Sequence, residues 1–307
     1  MLSRTADHLY WVSRYMERAE NIARFLEVAN NLALSGGDPE QVWQPVLTIA
    51  DGTQTDDSVR SDLDMNGVIR WSLLDGSNPS SIMSCLRAAR ENAHAVRSVI
   101  PNDMWEVINA TWLEARPLTW DKLMNRGLIV FCDWVKERAN LFRGVSLGSM
   151  IRDEVYLFLR LGTYMERADN SARLLGVMGD GITSRSLESD AAEQLHWAAV
   201  LKSVGALKAY RLSHKGDITP VGAAQILILN ETMPRSLHFC MKQVSEILTD
   251  LAVGYECTRM AGSVHAALHF GVLSELLEPG LDVFVAKFLR DNNALGLQVS
   301  SDFLMTG

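Results

Sequence analysis

Two stretches decide the reading of this chain: YMERAENIARFL, residues Tyr15–Leu26, and YMERADNSARLL, residues Tyr164–Leu175, 149 residues further on. Neither contains a proline or a glycine, and both place apolar residues at helical spacing. Around the first, Leu2, Leu9, Met16 and Ala23 recur every seven residues, with Val12, Ala19 and Leu26 beside them. Trp11, Tyr15, Ile22 and Phe25 fall on the far side of the same helix. A helix apolar on two sides is predicted to lie buried between neighbours. Between its apolar faces runs a polar stripe of Tyr10, Glu17 and Arg24, spaced by seven, with Arg14 and Asn21 adjacent. Such a stripe must meet a partner, water or a ligand, because unpaired buried charge is costly.

The second copy keeps Glu166, Arg167, Asn170 and Arg173 and puts Asp169 where the first has Glu20. Leu159 and Thr163 stand where Tyr10 and Arg14 would be, so the two stripes are not equivalent. A second pair of blocks recurs in the same order. LLDGSNPSSIMSCL starts at Leu73 and LILNETMPRSLHFCM at Leu227, aligning Pro79 with Pro234, Ser81 with Ser236 and Cys85 with Cys240. Recurrence of two blocks predicts a duplication, with half-repeats at 1–148 and 149–307 inside a single domain spanning 1–307. The expected fold is all-α: a helical bundle formed from two related halves with pseudo-twofold symmetry, the two Glu-Arg helices meeting near its centre.

The rest of the chain agrees with an all-helical reading. Helices are predicted at 3–34, 39–50, 61–74, 79–99, 102–115, 119–147, 151–178, 187–213, 218–230, 234–253, 255–273 and 276–294. Asn78-Pro79 reads as an N-cap followed by proline at the first helical position. Gly36-Gly37 reads as a stop, and Asp51 to Asp62 as a loop.

Of the 307 residues, 48% are hydrophobic and 21% charged, which suits a globular protein and argues against disorder. A net charge of −8 argues against a general nucleic-acid or acidic-membrane binder. Cys85, Cys132, Cys240 and Cys257 lie too far apart in sequence for a zinc-ligand pair, so a reducing cytoplasm is the expected compartment. The first residues, MLSRTADHLYWVSRYMERAE, lack the apolar run of a signal peptide, and no apolar stretch is long enough to span a bilayer.

Chemistry-bearing motifs are few. There is no P-loop, dinucleotide glycine pattern or GxSxG. Glu91–His94 and Glu193–His196 have the Glu-x-x-His spacing of di-iron bundles, with Glu17 and Glu166 as conceivable extra carboxylates. They fall at unrelated points of the repeat, however, so neither a metal nor a cofactor is expected. His265 and His269 form an i,i+4 pair without the glutamate of HExxH and are read as packing or surface residues. Two readings of the polar stripe stay open. In one, the two Glu-Arg helices cross and Glu17 and Glu166 pair with Arg24 and Arg173 of the opposite copy in a structural ion network. In the other, the arginines and asparagines clasp a carboxylate or phosphate while the glutamates bind an amine or act as a general base.

The openings LSRTADHLYWVSRYMERAENIARFL and RDEVYLFLRLGTYMERADNSARLL resemble the two signatures of the bacterial alpha-E domain family. CLRAARENAHAVR, MWEVINATWLEA and NETMPRSLHFC resemble further family blocks in the expected order, so the resemblance covers essentially the whole chain. It implies an all-helical protein encoded beside an ATP-grasp ligase of the peptide- or amide-forming type, often with a transglutaminase-like cysteine peptidase nearby. The positions it marks are Glu17, Arg18, Glu20, Asn21 and Arg24, then Glu166, Arg167, Asp169, Asn170 and Arg173. Arg90, Glu91, Asn92, Arg97, Trp105, Glu106 and Asn109 match a middle block; Pro234, Arg235 and Ser236 match a later one. With Tyr10 and Arg14 of the stripe, the ligand-binding candidates are Tyr10, Arg14, Glu17, Arg18, Glu20, Asn21, Arg24, Arg90, Asn92, Glu166, Arg167, Asp169, Asn170, Arg173 and Arg235. Two roles follow as expectations. One is a non-catalytic binding or scaffold partner of the ligase, handling a peptide or a small acidic metabolite. The other is an enzyme acting on an amide or amino-acid substrate through the stripe.

Overall fold

The structure, a computed structural model, describes residues 1–34, 39–50, 63–178 and 191–304. Every regular element among them is a helix. The predicted Gly36-Gly37 stop and the Asp51 to Asp62 loop lie outside the described residues. The chain divides into two compact units, Met1–Gly162 and Thr163–Gly307.

In the first unit the long helix α1 (Ser3–Leu34) is the organising element. It packs against α2 (Pro39–Ala50), α4 (Ile82–Ala95) and α7 (Leu128–Ser149). Around these, α3 (Met65–Leu73) packs on α2 and α4, α5 (Asn102–Ala115) on α4 and α7, and α6 (Trp120–Arg126) on α7. The expected two-sided burial of α1 is present. Leu9, Met16 and Ala23 are buried, as are Val12, Ala19 and Leu26, and Ile22 and Phe25 are buried on the other side. Leu2 is the exception: it precedes the helix and is exposed, so the apolar arc begins at Leu9.

Helix α8 (Glu154–Met178) begins in the first unit and ends in the second. The second unit continues with α9 (Ala191–Ser203), α10 (Leu207–Ser213), α11 (Pro220–Leu229), α12 (Leu237–Leu251), α13 (Glu256–His269), α14 (Leu273–Leu276) and α15 (Leu281–Phe303). Helix α13 packs against α11, α12 and α15, and α11 also meets α9 and α12.

Three sequence-based boundaries need correction. The span 119–147 is two helices, α6 and α7, because Gly127 has φ +94° and closes the first with its N–H on the Leu123 carbonyl. The span 187–213 is likewise broken by Gly205 at φ +71°. There the Gly205 and Ala206 N–H groups return to the Lys202 and Leu201 carbonyls, a glycine-ended helix terminus. The span 255–273 ends early, at His269, with the short α14 (Leu273–Leu276) after it, and the last helix starts at Leu281 instead of 276 and continues to Phe303.

The Asn78-Pro79 start is also displaced. Helix α4 begins at Ile82, and its N-cap is Ser81, whose hydroxyl accepts the Ser84 N–H and donates to the Asp75 carbonyl. Asn78 instead accepts the Ser80 N–H in a tight Asx turn that leads into the cap. The later block caps its helix the same way: Ser236 accepts the Phe239 N–H and its hydroxyl donates to the Asn230 carbonyl, while Asn230 accepts the Thr232 N–H as its counterpart Asp75 accepts the Ser77 N–H. The equivalent cysteines point their thiols back at the turn, Cys85 to the Pro79 and Ser80 carbonyls and Cys240 to the Pro234 carbonyl.

Candidate functional site

The polar stripe of α1 is built into a charge network whose second half comes from α7. Glu17 and Glu20 are both buried, with side chains 2% and 0% exposed. Helical spacing brings Arg24 one turn beyond Glu20, where its Nε and Nη2 donate to Glu20 Oε1 at 2.9 and 2.7 Å. Arg143 on α7 donates from one nitrogen, Nη1, to Glu17 Oε2 at 3.2 Å and also to Glu20 Oε2. Its other nitrogen, Nη2, donates to Asn140 Oδ1. Arg24 and Arg143 each remain 23% exposed. The network therefore buries its carboxylates while both arginine side chains stay partly exposed. One helical step further, Lys136 bridges Glu27 at 2.5 Å and Asp133 at 2.7 Å. Burial opposes its charge, but the hydrogen bonds to Asp133 and Glu27 prevail and raise its pKa.

Arg143, Asn140 and Lys136 are absent from the sequence-based candidates. Arg143 and Lys136 lie more than a hundred residues from their partners on α1, Asn140 enters only through Arg143, and the Glu137-Arg138-Ala139 of α7 lacks the acid-Asn continuation of the two signature copies.

Other candidates form a separate cluster or serve packing. Tyr10 is buried; its hydroxyl accepts from Arg14 Nη1 at 3.2 Å, and the Arg14 guanidinium lies over both the Tyr10 and Trp11 rings. Arg18 lies over Tyr15, and Asn21 is buried. On α4 and α5, Arg90 and Arg97 both stand over the Trp105 ring, at 5.6 and 5.3 Å, and Arg90 Nε donates to Asn109. Asn92 joins α4 to α1 through His8 Nδ1, 2.8 Å away.

In the second unit, Arg173 Nε donates to Asp169 Oδ2 at 2.7 Å, repeating the Arg24–Glu20 pair. Glu166, Arg167 and Asn170 are buried, as is Arg235, whose backbone carbonyl accepts the Ser171 hydroxyl. The α8–α15 pairing also keeps the register of α1–α7. Gly176 approaches Val285, and these two residues stand 149 positions after Glu27 and Lys136. The same register sets Asn292, a buried residue, in the place of Arg143.

Among the described residues, one group of three metal-competent side chains converges, and it is neither of the Glu-x-x-His pairs. It joins His265 and His269, assigned to packing or surface by the sequence, to His238. The signal was half visible as the i,i+4 pair, but the third histidine lies on another helix. An apolar cavity of about 280 Å³ between α13, α14 and α15, walled by Leu268, Leu276, Phe284 and Phe288, contains none of the candidate residues. No described helix is long and apolar enough to cross a membrane.

Comparison with known proteins agrees with the motif-bearing helices. Uncharacterized proteins of Mycobacterium bovis and Mycobacterium tuberculosis are 26% identical over 267 residues, which is 81% of this chain and 30% of theirs. The chain therefore spans less than a third of the length of these curated relatives. No solved structure matches it. Residues 1–304, which include both Glu-Arg helices and all the elements packed on them, match Alpha-E, described as a predicted alpha-helical domain with a conserved ER motif. The chain belongs to the Alpha-E family.

Proposed function

We propose that this chain is a non-catalytic binding or scaffold component that works in the cytoplasm beside an ATP-grasp peptide or amide ligase. In this reading it docks to the ligase and presents or receives an acidic peptide or small acidic metabolite, with a transglutaminase-like peptidase as a second partner. The observation that carries the proposal is the polarity of the first-unit network. Its carboxylates are buried and held by Arg24 and Arg143, while both arginine side chains stay partly exposed. Planar guanidinium edges recognise carboxylates in pairs of parallel hydrogen bonds. Glu17 and Glu20 are both committed to arginines in hydrogen-bonded pairs. That weighs against the alternative, an enzyme acting on an amide or amino-acid substrate through the stripe. The length of the mycobacterial relatives supports a cooperating role, since there a region similar to this chain is one part of a much longer polypeptide.

The two units are proposed as descendants of one duplicated half. The shared cap geometry at Ser81 and Ser236 and the shared 149-residue helix register support this. The first stripe is then the binding one and the second mainly supports it.

The test is co-purification with the ligase encoded beside this protein, followed by titration with an acidic peptide. A co-eluting complex is expected. Arg24→Lys should weaken peptide binding at least tenfold while leaving the fold intact, and Arg173→Lys should weaken it less. A larger loss from Arg173→Lys, or no complex with the ligase, refutes the proposal.

A further inference from the structure

The second unit brings three imidazoles together from two helices. His238 lies in the first turn of α12, and His265 and His269 lie one turn apart on α13, which packs along α12. The i,i+4 spacing places the latter two on one face. One ring nitrogen from each of the three lies within 4.8 Å of the others.

The geometry of the closest pair matches a coordination shell. His238 Nε2 and His269 Nδ1 are 3.3 Å apart. Two imidazole nitrogens each bound at 2.0–2.1 Å to one tetrahedral ion are separated by about 3.3 Å. The rings are also prepared for the task. His238 Nδ1 faces the Leu229 carbonyl at 3.2 Å, and a carbonyl can only accept, so the His238 proton sits on Nδ1. Nε2 is left with its lone pair directed at His269. An outer hydrogen bond of this kind fixes the tautomer of a metal-ligating histidine. His265 Nε2 is buried and has no hydrogen-bond partner. His269 is exposed and gives the cluster an opening to solvent. Two charged groups act on the cluster: Glu231, which favours a cation there, and Lys242, which disfavours one.

We propose that His238 Nε2, His265 Nε2 and His269 Nδ1 form a binding site for one divalent ion of the zinc class, with the fourth position open to solvent. Three imidazoles select late first-row transition ions over magnesium or calcium, which take oxygen ligands. A three-ligand shell with an open position is the arrangement of zinc ions that bind an exogenous group, in contrast to closed structural sites. The site belongs to the second half alone, because Met83 stands in the first block where His238 stands in the second. It is independent of the proposed binding role of the Glu-Arg network and stands or falls separately.

The experiment is calorimetric titration of the full chain, freed of any histidine tag and stripped with chelator, using Zn²⁺ and, in a separate arm, Mg²⁺ at pH 7.5. One Zn²⁺ per chain, bound at micromolar or tighter affinity and without comparable Mg²⁺ binding, is expected. Replacing zinc with Co²⁺ should give the visible absorption of a four-coordinate ion. His269→Ala alters an exposed side chain and keeps the fold testable; it should weaken Zn²⁺ binding at least tenfold, as should His265→Gln. His214→Ala, outside the cluster, should leave binding unchanged. The proposal is overturned by absence of stoichiometric Zn²⁺ binding, by equal binding of Mg²⁺, or by Zn²⁺ affinity indifferent to both cluster substitutions.

Discussion

Replacing Arg143 with alanine should be the most damaging single change to the first unit outside its apolar core. One nitrogen of this side chain serves Glu17 and Glu20, whose side chains are 2% and 0% exposed. Removing one partner from a buried ion pair costs about 3–5 kcal/mol. Arg143 is 23% exposed and Arg24 still holds Glu20, so the low end applies, a loss of about 3 kcal/mol. For a unit of this size each kcal/mol moves the midpoint by about 2–4 °C, so thermal unfolding followed by circular dichroism should fall by roughly 6–12 °C. Arg143→Lys keeps the charge but not the planar fork that reaches both glutamates and Asn140, and should fall between alanine and wild type. The same alanine change made in a Glu20→Gln background should cost less by about 1–3 kcal/mol, because residues in one charge network are coupled. A midpoint within 2 °C of wild type for Arg143→Ala, or an undiminished cost in the Glu20→Gln background, would refute the assignment of Arg143 as the anchor of the buried carboxylates.

Three further changes probe other contacts. Gly162→Ala would drive a methyl group into the Tyr10 carbonyl oxygen and Ser13 Oγ. The overpacking, about 1–3 kcal/mol, should outweigh the roughly 1 kcal/mol gained in helix propensity, and a raised melting point would show the close approach to be wrong. Asp302 caps α13 from α15 by accepting the Cys257 N–H at 3.1 Å. Burial raises its pKa, but hydrogen bonds from the Cys257 backbone, the Cys257 thiol and Gln298 prevail and hold it below the usual carboxylate value. A depressed folded pKa means stability present above about pH 4 and lost as pH falls below it. Asp302→Ala should therefore cost about 0.5–1 kcal/mol at pH 7, after solvent screening, and nothing at pH 2; a denaturant titration at each pH checks this. Burial pushes the Cys132 and Cys257 thiols up to about 12. A thiol-reactive dye at pH 8 should leave both unlabelled until denaturant is added, and rapid native labelling of either would contradict their placement.

Helical periodicity was enough to place α1, α2 and α5 to the residue, because long apolar stripes of period 3.6 admit no competing strand. It failed where one residue overrules the pattern. The apolar spacing continues across Gly127 and Gly205, and only their left-handed backbones end the helices there. It was also misled at Asn78-Pro79, since an Asx turn and an N-cap use the same side chains, and only the hydroxyl of Ser81 tells which turn starts the helix. Half of the charge network was legible, because Glu17, Glu20 and Arg24 share one helix face. Arg143 was not, because a pairing of residues 126 apart leaves no local pattern. The histidine cluster divides the same way: His265 and His269 share a helix, while His238 is reached through the packing of α12 on α13.

The two capped turns carry a consequence for the order in which this protein assembles. In the Asp75–Ser81 turn and its counterpart at Asn230–Ser236, the hydroxyl bonds span six residues and the Asx bonds two. Loops this short close in well under a microsecond and need nothing from the rest of the chain. The Arg143 bonds to Glu17 and Glu20 close loops of 126 and 123 residues, whose closure entropy must be met before any contact rewards it. During synthesis Glu17 and Glu20 emerge early and stay hydrated until more than a hundred further residues have followed. Helix α1 is thus made first, and its buried glutamates gain Arg143 only once α7 has docked. Any chain truncated before residue 143 would keep the Arg24–Glu20 pair but lose the one side chain that ties Glu17 and Glu20 together.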